Sequence, residues 1–311
     1  MSMKFDRTSP GQGVEVLCRP ENGKAYLEWR FAYEEESGQK GLLQLFVRDR
    51  QGKVVLECRR GPEEDEPMES ILLQPCLWRG VEEPYLYSLE AVLSDGEGKP
   101  LDRLTRQLAL YRLEEREGLL LNGEPFAEKA VRYEFPEAAS PAERQRIVAE
   151  DLQRLRELGA NCIYMEEQEG PDRPFFRLCQ RIGFLVRRGE GRDAPLYRGK
   201  DGLVSWEGDL QPEFYRYQAR WSGEPFVYIV PESVHRQENG SFSATVYSSC
   251  PRVALYSDGI LHEFRSGSEE FLFREIPAKG PYLKLTAEGE GCAQSLSLQR
   301  TFVKPESERE R

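Results

Sequence analysis

One stretch, residues 140–190, alternates between helical and extended patterns and limits the possible folds more than any other part of the chain. Ser140 can cap a helix, Pro141 suits the first helical position, and Glu143 completes a capping box. Apolar residues then recur at helical spacing until Gly159, where glycine can adopt a left-handed conformation at little cost. The pattern predicts an amphipathic helix between these signals.

The same stretch continues with a short strand at 160–165, a second helix capped by Asp172, and another strand at 184–186. Successive strands and helices with short connections imply parallel strands and right-handed crossovers. The polar, turn-rich residues 187–202 then interrupt the pattern. We therefore predict, within residues 115–223, an α/β segment that stops after a few strands.

Regions rich in strands flank this segment on both sides. Short apolar strands separated by turns fill residues 1–114 and again residues 224–304. The Asn22-Gly23 pair, for example, supplies the positive φ angles of a tight hairpin. We expect each region to form a β-sandwich and the charged tail 305–311 to be disordered. The predicted fold is mainly β with an α/β insert.

The composition excludes several classes of function. A net charge of −11 and a pI near 5.1 argue against nucleic acid and against an anionic membrane as partners. No apolar run approaches the ~20 residues of a membrane helix. The first residues lack the apolar core of a signal peptide, so we expect a cytoplasmic protein. Seven scattered cysteines and only two histidines predict reduced thiols, no metal site and no cofactor.

Six segments spread over most of the chain carry a family resemblance. They are LWRGVEEPYLYSLEAVL (77–93), LLLNGEPFAEKAVR (119–132), DLQRLRELGANCIYM (151–165), FFRLCQRIGFLV (175–186), QPEFYRYQARWSGEPFVYI (211–229) and SSCPRVALYSDG (248–259). In this order they resemble glycoside hydrolase family 2, the β-galactosidase and β-glucuronidase family. The resemblance implies two immunoglobulin-like β-sandwiches flanking a truncated, incomplete (β/α) barrel remnant.

The resemblance also bears on activity. Family members hydrolyse glycosides with two barrel glutamates, which lie about 5–5.5 Å apart in retaining enzymes. Only residues 187–210 stand between Val186 and Gln211, where the family has several further strands, and they contain no Asn-Glu pair. The resemblance thus implies that both catalytic positions are deleted. We predict a catalytically inactive relative that acts in protein–protein or ligand binding and assembly.

Carboxylates at the predicted strand ends are the candidates for a rebuilt catalytic site, because barrel enzymes place their chemistry there. These candidates are Glu166, Glu167 and Glu190. Solvated loop charges explain the same residues, since no histidine, Arg clamp or phosphate-binding loop accompanies them. One alternative to the inactive protein is therefore a glycosidase with a rebuilt site, or one subunit of a split glycosidase.

Aromatic residues near the same strand ends are candidates for binding a sugar by stacking. They are Tyr133, Tyr164 and Trp206. Within the resemblance, Tyr164 replaces an arginine and Tyr133 stands at or beside the usual histidine. Aromatics at domain junctions more often serve in packing. A carbohydrate-binding protein is the second alternative.

The interrupted α/β segment also predicts a partner. A few parallel strands cannot close a barrel, so they leave an unpaired edge and an apolar face that must be covered. The cover would be the flanking sandwiches, a second copy of the chain in a homo-oligomer, or another protein.

Overall fold

The computed structural model describes residues 3–8, 13–34, 41–61, 66–166, 173–277 and 282–299. The described chain is mainly β and contains three α-helices. It divides into two compact units, Met1–Glu128 with Glu169–Val186, and Lys129–Gln168 with Arg187–Arg311. Three predicted features, the helix cap Asp172, the candidate Glu167 and the tail 305–311, lie outside the described residues.

The first unit begins with a run of short strands. They are β1 (Lys4–Phe5), β2 (Val14–Glu21), β3 (Lys24–Phe31), β4 (Tyr33–Glu34), β5 (Gly41–Arg48), β6 (Val54–Arg60), β7 (Met68–Leu73), β8 (Tyr87–Asp95), β9 (Pro100–Leu108), β10 (Leu113–Glu115), β11 (Leu119–Leu121) and β12 (Glu124–Pro125).

Two antiparallel sheets form the body of this unit. One has the order β2-β3-β7 and the other the order β6-β5-β8-β9. Asn22 and Gly23 connect β2 to β3 with positive φ angles, as the sequence predicted. The buried core takes Leu27 and Trp29 from the first sheet and Leu89 from the second. The predicted β-sandwich of this region is therefore confirmed.

The α/β segment follows, and its elements alternate as expected. They are β13 (Ala130–Arg132), α1 (Pro141–Leu158), β14 (Cys162–Met165), α2 (Arg173–Ile182), β15 (Leu185–Arg188) and α3 (Pro212–Trp221). Helix α2 belongs to the first unit, and the boundary between the units falls inside β15. The domain boundaries predicted from the sequence stay predictions. None of the described helices is long and apolar enough to cross a membrane.

Helix α1 begins and ends at the predicted signals. The Ser140 hydroxyl accepts a hydrogen bond from the Glu143 backbone N–H (3.2 Å), and the Glu143 carboxylate accepts one from Ala139 N–H (2.9 Å). Gly159 ends the helix with a φ of +88°. A Cβ atom at Gly159 would lie 2.5 Å from the carbonyl oxygen of Trp221. Glycine is therefore needed there both for its conformation and for the close approach of α3.

The sheet of the α/β segment has the order β13-β14-β15, and β13 runs parallel to β14. The other edge of β13 is covered by residues 194–204, which we call the covering segment. Arg132 N–H donates to Pro195 O (2.9 Å), and Tyr197 N–H donates to Arg132 O (2.8 Å). Leu196 thereby forms a parallel bridge to Arg132. This edge is covered by the chain itself, and the partner predicted from an open edge stays a prediction.

The covering segment also folds back on itself. Leu203 N–H donates to Leu196 O (3.0 Å), and Val204 N–H donates to Tyr197 O (2.8 Å). Gly202 makes this return possible, because a Cβ atom there would lie 2.7 Å from the backbone nitrogen of Gly199. The segment that the sequence marked only as polar and turn-rich is therefore a compact, hydrogen-bonded structure.

The second unit ends in another strand-rich region. Its strands are β16 (Val227–Ile229), β17 (His235–Arg236), β18 (Phe242–Ser248), β19 (Arg252–Ser257), β20 (Ile260–Ser266), β21 (Glu269–Ile276), β22 (Tyr282–Gly289) and β23 (Cys292–Gln299). Strand β18 pairs with β16, β17 and β21, while a second sheet has the order β20-β19-β22-β23. Val246 and Phe273 of the first sheet share a buried core with Leu255 and Leu285 of the second. This region is a second β-sandwich, as predicted.

Candidate functional site

A buried carboxylate lies behind the end of strand β13. Asp151, in the middle of α1, is only 1% exposed. Its Oδ2 atom accepts a hydrogen bond from the hydroxyl of Tyr133 (3.0 Å), and Oδ1 accepts from the hydroxyl of Tyr197 (3.0 Å) and from Nη2 of Arg198 (2.6 Å). We call these four residues the Asp151 cluster. It joins α1, the end of β13 and the covering segment.

Burial dominates the electrostatics of the Asp151 cluster. It raises the pKa of Asp151, while Arg198 and the two tyrosine hydroxyls act in the opposite direction. The pKa values of Tyr133 and Tyr197 are also raised, first by burial and then by the Asp151 charge. Both phenols therefore keep their protons and serve as hydrogen-bond donors rather than as bases.

The remaining contacts of the cluster are structural as well. Nη1 of Arg198 donates to the carbonyl of Ser205 (3.3 Å), whereas its Nε atom is buried without a partner. The rings of Tyr133 and Tyr197 lie 5.6 Å apart. Arg154, one turn after Asp151, donates to the carbonyl of Gly208 (3.0 Å). A carboxylate enclosed in this way fastens the residues that follow β15 to helix α1.

Tyr133 was predicted to bind a ligand, and its position limits that role. The residue is fully buried, and its hydroxyl is engaged by Asp151. A ring in this position offers no open face to a sugar. The structure therefore gives Tyr133 a place in the Asp151 cluster, and its prediction as a ligand-binding residue gains no support.

Tyr164 lies at the carboxyl end of β14 and is half-buried. Nη1 of Arg187 donates to its hydroxyl (2.9 Å), and the same guanidinium lies 5.4 Å from the ring centroid. Gly191 approaches the ring so closely that a Cβ atom there would lie 2.6 Å from Cγ of Tyr164. The hydroxyl and much of the ring are thus already engaged within the chain.

The candidate catalytic carboxylates are exposed. Glu166 follows β14 at the surface, and Glu190 forms an ion pair with Arg192 in which both side chains are largely exposed. Glu167 lies outside the described residues. Within the described parts of the chain, no three His, Cys, Asp or Glu side chains meet as ligands for a metal ion would.

Trp206 stands apart from the other candidates because 62% of it is exposed. The ring lies beside the covering segment, where a Cβ atom at Gly199 would be 3.7 Å from Cζ2 of Trp206. An indole held beside hydrogen-bonded backbone has a surface free for stacking. The prediction that Trp206 binds a ligand is compatible with this position and stays a prediction.

Asp151, the centre of the cluster, was not among the site residues predicted from the sequence. Its signal was present, because Asp151 lies on the buried face of α1 among Val148, Leu152 and Leu155. A carboxylate at such a position needs buried donors. No comparable signal marks Tyr197, because it lies in a turn-rich stretch without periodicity.

Comparison with known proteins identifies the fold. No family model matches the chain. A β-glucuronidase of Bacteroides fragilis is 28% identical over 168 residues, which cover 51% of this chain and 24% of that protein. The matched part therefore spans about a quarter of that curated relative.

Solved structures match nearly the whole chain. An FMN-binding β-glucuronidase from Facaelibacterium prausnitzii L2-6 has a TM-score of 0.81 and 14% identity, covering 98% of this chain and 76% of that one. A glycosyl hydrolase family 2 member from Bacteroides cellulosilyticus DSM 14838 has a TM-score of 0.71 and 14% identity, covering 96% and 64%. The chain is similar to glycoside hydrolase family 2. The resemblance to family 2 predicted from the sequence is confirmed. Because the solved structures are only 14% identical to this chain, they show a similar fold and no more.

Proposed function

We propose that this family 2-like chain binds a protein or another ligand and does not hydrolyse glycosides. The observation that carries the proposal is the covering segment. In a closed barrel the first strand pairs with both the second and the last. Here β13 pairs with β14 on one side and with Leu196 of the covering segment on the other. The covering segment occupies the place of the last barrel strand, and the Asp151 cluster holds it there.

We also propose two features of the fold. The α/β segment is a barrel remnant, in which residues 189–211 connect β15 directly to α3. The two sandwiches are immunoglobulin-like. The strand number of the first sandwich supports this assignment. It has one three-stranded and one four-stranded antiparallel sheet, as a seven-stranded immunoglobulin-type sandwich does.

The placement of the carboxylates supports the proposal that hydrolysis is lost. A retaining glycosidase needs two carboxyl groups about 5–5.5 Å apart, with one protonated and one ionised beside the sugar. Asp151 is enclosed by three donors, and Glu190 is paired with Arg192 at the surface. Neither arrangement presents a carboxylate pair to a substrate.

A panel of aryl glycosides that includes 4-nitrophenyl β-glucuronide and β-galactoside tests the proposal. We expect release of nitrophenol at the rate of the protein-free blank. Turnover that is lost in Glu166→Gln, Glu167→Gln or Glu190→Gln would establish a rebuilt catalytic site. Glu150→Gln is the matched control, because Glu150 is an exposed carboxylate within helix α1 and was not predicted to take part in catalysis.

The partner can be a second copy of the chain or another protein, and both are open to measurement. Sedimentation velocity over a range of concentrations detects self-association. Capture with the tagged chain, followed by reconstitution from purified components, detects a different partner. A monomer at every concentration that forms no reconstituted complex contradicts the protein-binding form of the proposal.

Carbohydrate binding is the second candidate, and the exposed ring of Trp206 favours it. A glycan array followed by titration calorimetry measures such binding. We expect Trp206→Ala to remove it and Tyr282→Ala to preserve it, since Tyr282 is an equally exposed aromatic residue on the second sandwich. Equal loss in both variants, or binding unchanged in Trp206→Ala, excludes Trp206 as the binding residue.

A further inference from the structure

Two cysteines of the second sandwich lie in contact with each other. The Sγ atoms of Cys250 and Cys292 are 3.6 Å apart. Cys250 follows β18 and is 4% exposed, while Cys292 begins β23 and is half-buried. We propose that this pair is an oxidative modification site, which closes to an intramolecular disulfide when the chain meets a hydroperoxide.

The surroundings of the two sulfur atoms favour closure. Ser248 fixes the backbone of Cys250, because the Ser248 hydroxyl accepts a hydrogen bond from Cys250 N–H (3.0 Å). Gly289 is the ladder partner of Cys292, and a Cβ atom at Gly289 would lie 2.6 Å from the Cys250 sulfur. The missing side chain leaves the space that the sulfur occupies. A disulfide has an S–S distance of about 2.05 Å, so the sulfur atoms must approach by about 1.5 Å.

The chemistry has a defined order because the two thiols differ in access. The half-buried Cys292 sulfur attacks a hydrogen peroxide oxygen, the O–O bond breaks, and a sulfenic acid and water form. The Cys250 sulfur then attacks the sulfur of that sulfenic acid, the S–O bond breaks, and a second water leaves. The two thiols together lose two electrons and two protons to one peroxide molecule.

The reaction is expected to be slow at neutral pH. Burial, together with the neighbouring Cys250, raises the pKa of Cys292 to about 11. The thiolate is the reacting form. While the pH is below that pKa, the thiolate fraction rises about tenfold for each unit by which the pH rises. The rate of oxidation should therefore rise by about tenfold between pH 7.5 and 8.5.

The disulfide would connect parts of the second sandwich that are 42 residues apart in the sequence. It joins the turn between β18 and β19 to the first residue of β23, and the closed loop contains strands β19–β22. Closing a loop of this length restricts the unfolded chain. We expect the thermal midpoint of this region to rise on the order of 5 °C on oxidation and to return on addition of dithiothreitol.

Mass spectrometry of the full-length chain tests the proposal directly. After treatment with hydrogen peroxide and alkylation, tryptic peptides 237–252 and 285–300 should appear linked, and two fewer thiols should react with Ellman's reagent in denaturant. Cys292→Ser and Cys250→Ser should each abolish the link. Cys76→Ser, which removes an exposed thiol, should leave it unchanged.

The peptide map of the wild-type chain tests for the disulfide without depending on the folding of any variant. Peptides 237–252 and 285–300 that stay unlinked in the native chain would overturn it. Oxidation of Cys292 to sulfinic acid without a link, or links made only through Cys76, would overturn it equally.

Discussion

Nη2 of Arg198 lies 2.6 Å from Oδ1 of Asp151, and both residues are buried. One belongs to the covering segment and the other to helix α1. The pair therefore adds to the backbone hydrogen bonds that hold the residues after β15 on the edge of β13. Its loss should be costly, because removing one partner of a buried ion pair leaves the other charge uncompensated.

Replacement of Asp151 by asparagine tests this role. We expect Asp151→Asn to lower the free energy of unfolding by about 3–5 kcal/mol, since Arg198 then stays buried without a counter-charge. Urea titration followed by far-ultraviolet circular dichroism measures the change. The control is Glu150→Gln, whose exposed ion pair with Arg146 should contribute less than about 0.5 kcal/mol. Equal effects of the two substitutions would refute the structural role of Asp151.

The two tyrosines of the Asp151 cluster allow a double-mutant cycle. Tyr133→Phe and Tyr197→Phe each remove one hydroxyl donor to a buried carboxylate, so each should cost about 1–3 kcal/mol. Because both hydroxyls bind the same carboxylate, the combined variant should depart from additivity by more than about 0.5 kcal/mol. Urea unfolding of the four proteins gives the coupling energy. Strict additivity would mean that the two hydroxyls act independently.

The close approach of α1 and α3 predicts an unusual sensitivity at one glycine. Gly159→Ala places a Cβ atom against the Trp221 carbonyl in addition to straining a residue at φ +88°. Gly259→Ala is the matched control, because its φ is +80° and, among the described residues other than its chain neighbours, no atom lies within 4 Å of the added carbon. We expect Gly159→Ala to cost about 1–3 kcal/mol more than the control in thermal or urea unfolding. A difference near zero would show that α3 moves away without cost.

The first unit should show a pH effect centred on Asp102. Burial alone would raise the pKa of this carboxyl, but the Arg7 guanidinium and the backbone N–H groups of Phe5 and Arg103 lower it overall. The unfolded chain therefore binds more protons than the folded chain below about pH 4, so the stabilisation is present above that pH and is lost as the pH falls through the folded pKa.

The variant Asp102→Asn measures this contribution. It should be less stable than wild type by up to about 1 kcal/mol at pH 6, and the difference should shrink between pH 4 and pH 2. Urea midpoints across this range give the comparison. Glu82→Gln, at an exposed position in the same unit, should keep a constant offset. A difference between Asp102→Asn and wild type that does not change with pH would contradict the assignment.

Much of the fold was predictable where one local signal decides one element. Ser140, Glu143 and Gly159 marked both ends of α1, and Asn22-Gly23 marked a hairpin. These signals work because capping and positive φ depend on neighbours in sequence. The family resemblance supplied the order of the larger parts.

The covering segment was not predictable by the same reasoning. Its hydrogen bonds join Arg132 to Tyr197 and Tyr197 to Val204. A polar stretch without a periodic pattern does not predict such pairings. The Asp151 cluster depends on the same tertiary contacts. The burial of Tyr133 likewise follows from the covering segment, which explains why an aromatic residue proposed for a ligand lies inside the protein.

The Asp151 cluster cannot form until well after Asp151 itself has been synthesised. Arg198 follows Asp151 by 47 residues, so the carboxylate leaves the ribosome well before its counter-charge. At 5–20 residues per second the delay is roughly 2–9 seconds. During that interval water solvates Asp151, and the edge of β13 has no hydrogen-bonding neighbour from residues 194–204. In the seconds before Arg198 arrives, chaperones and wrong pairing partners therefore have access to this edge.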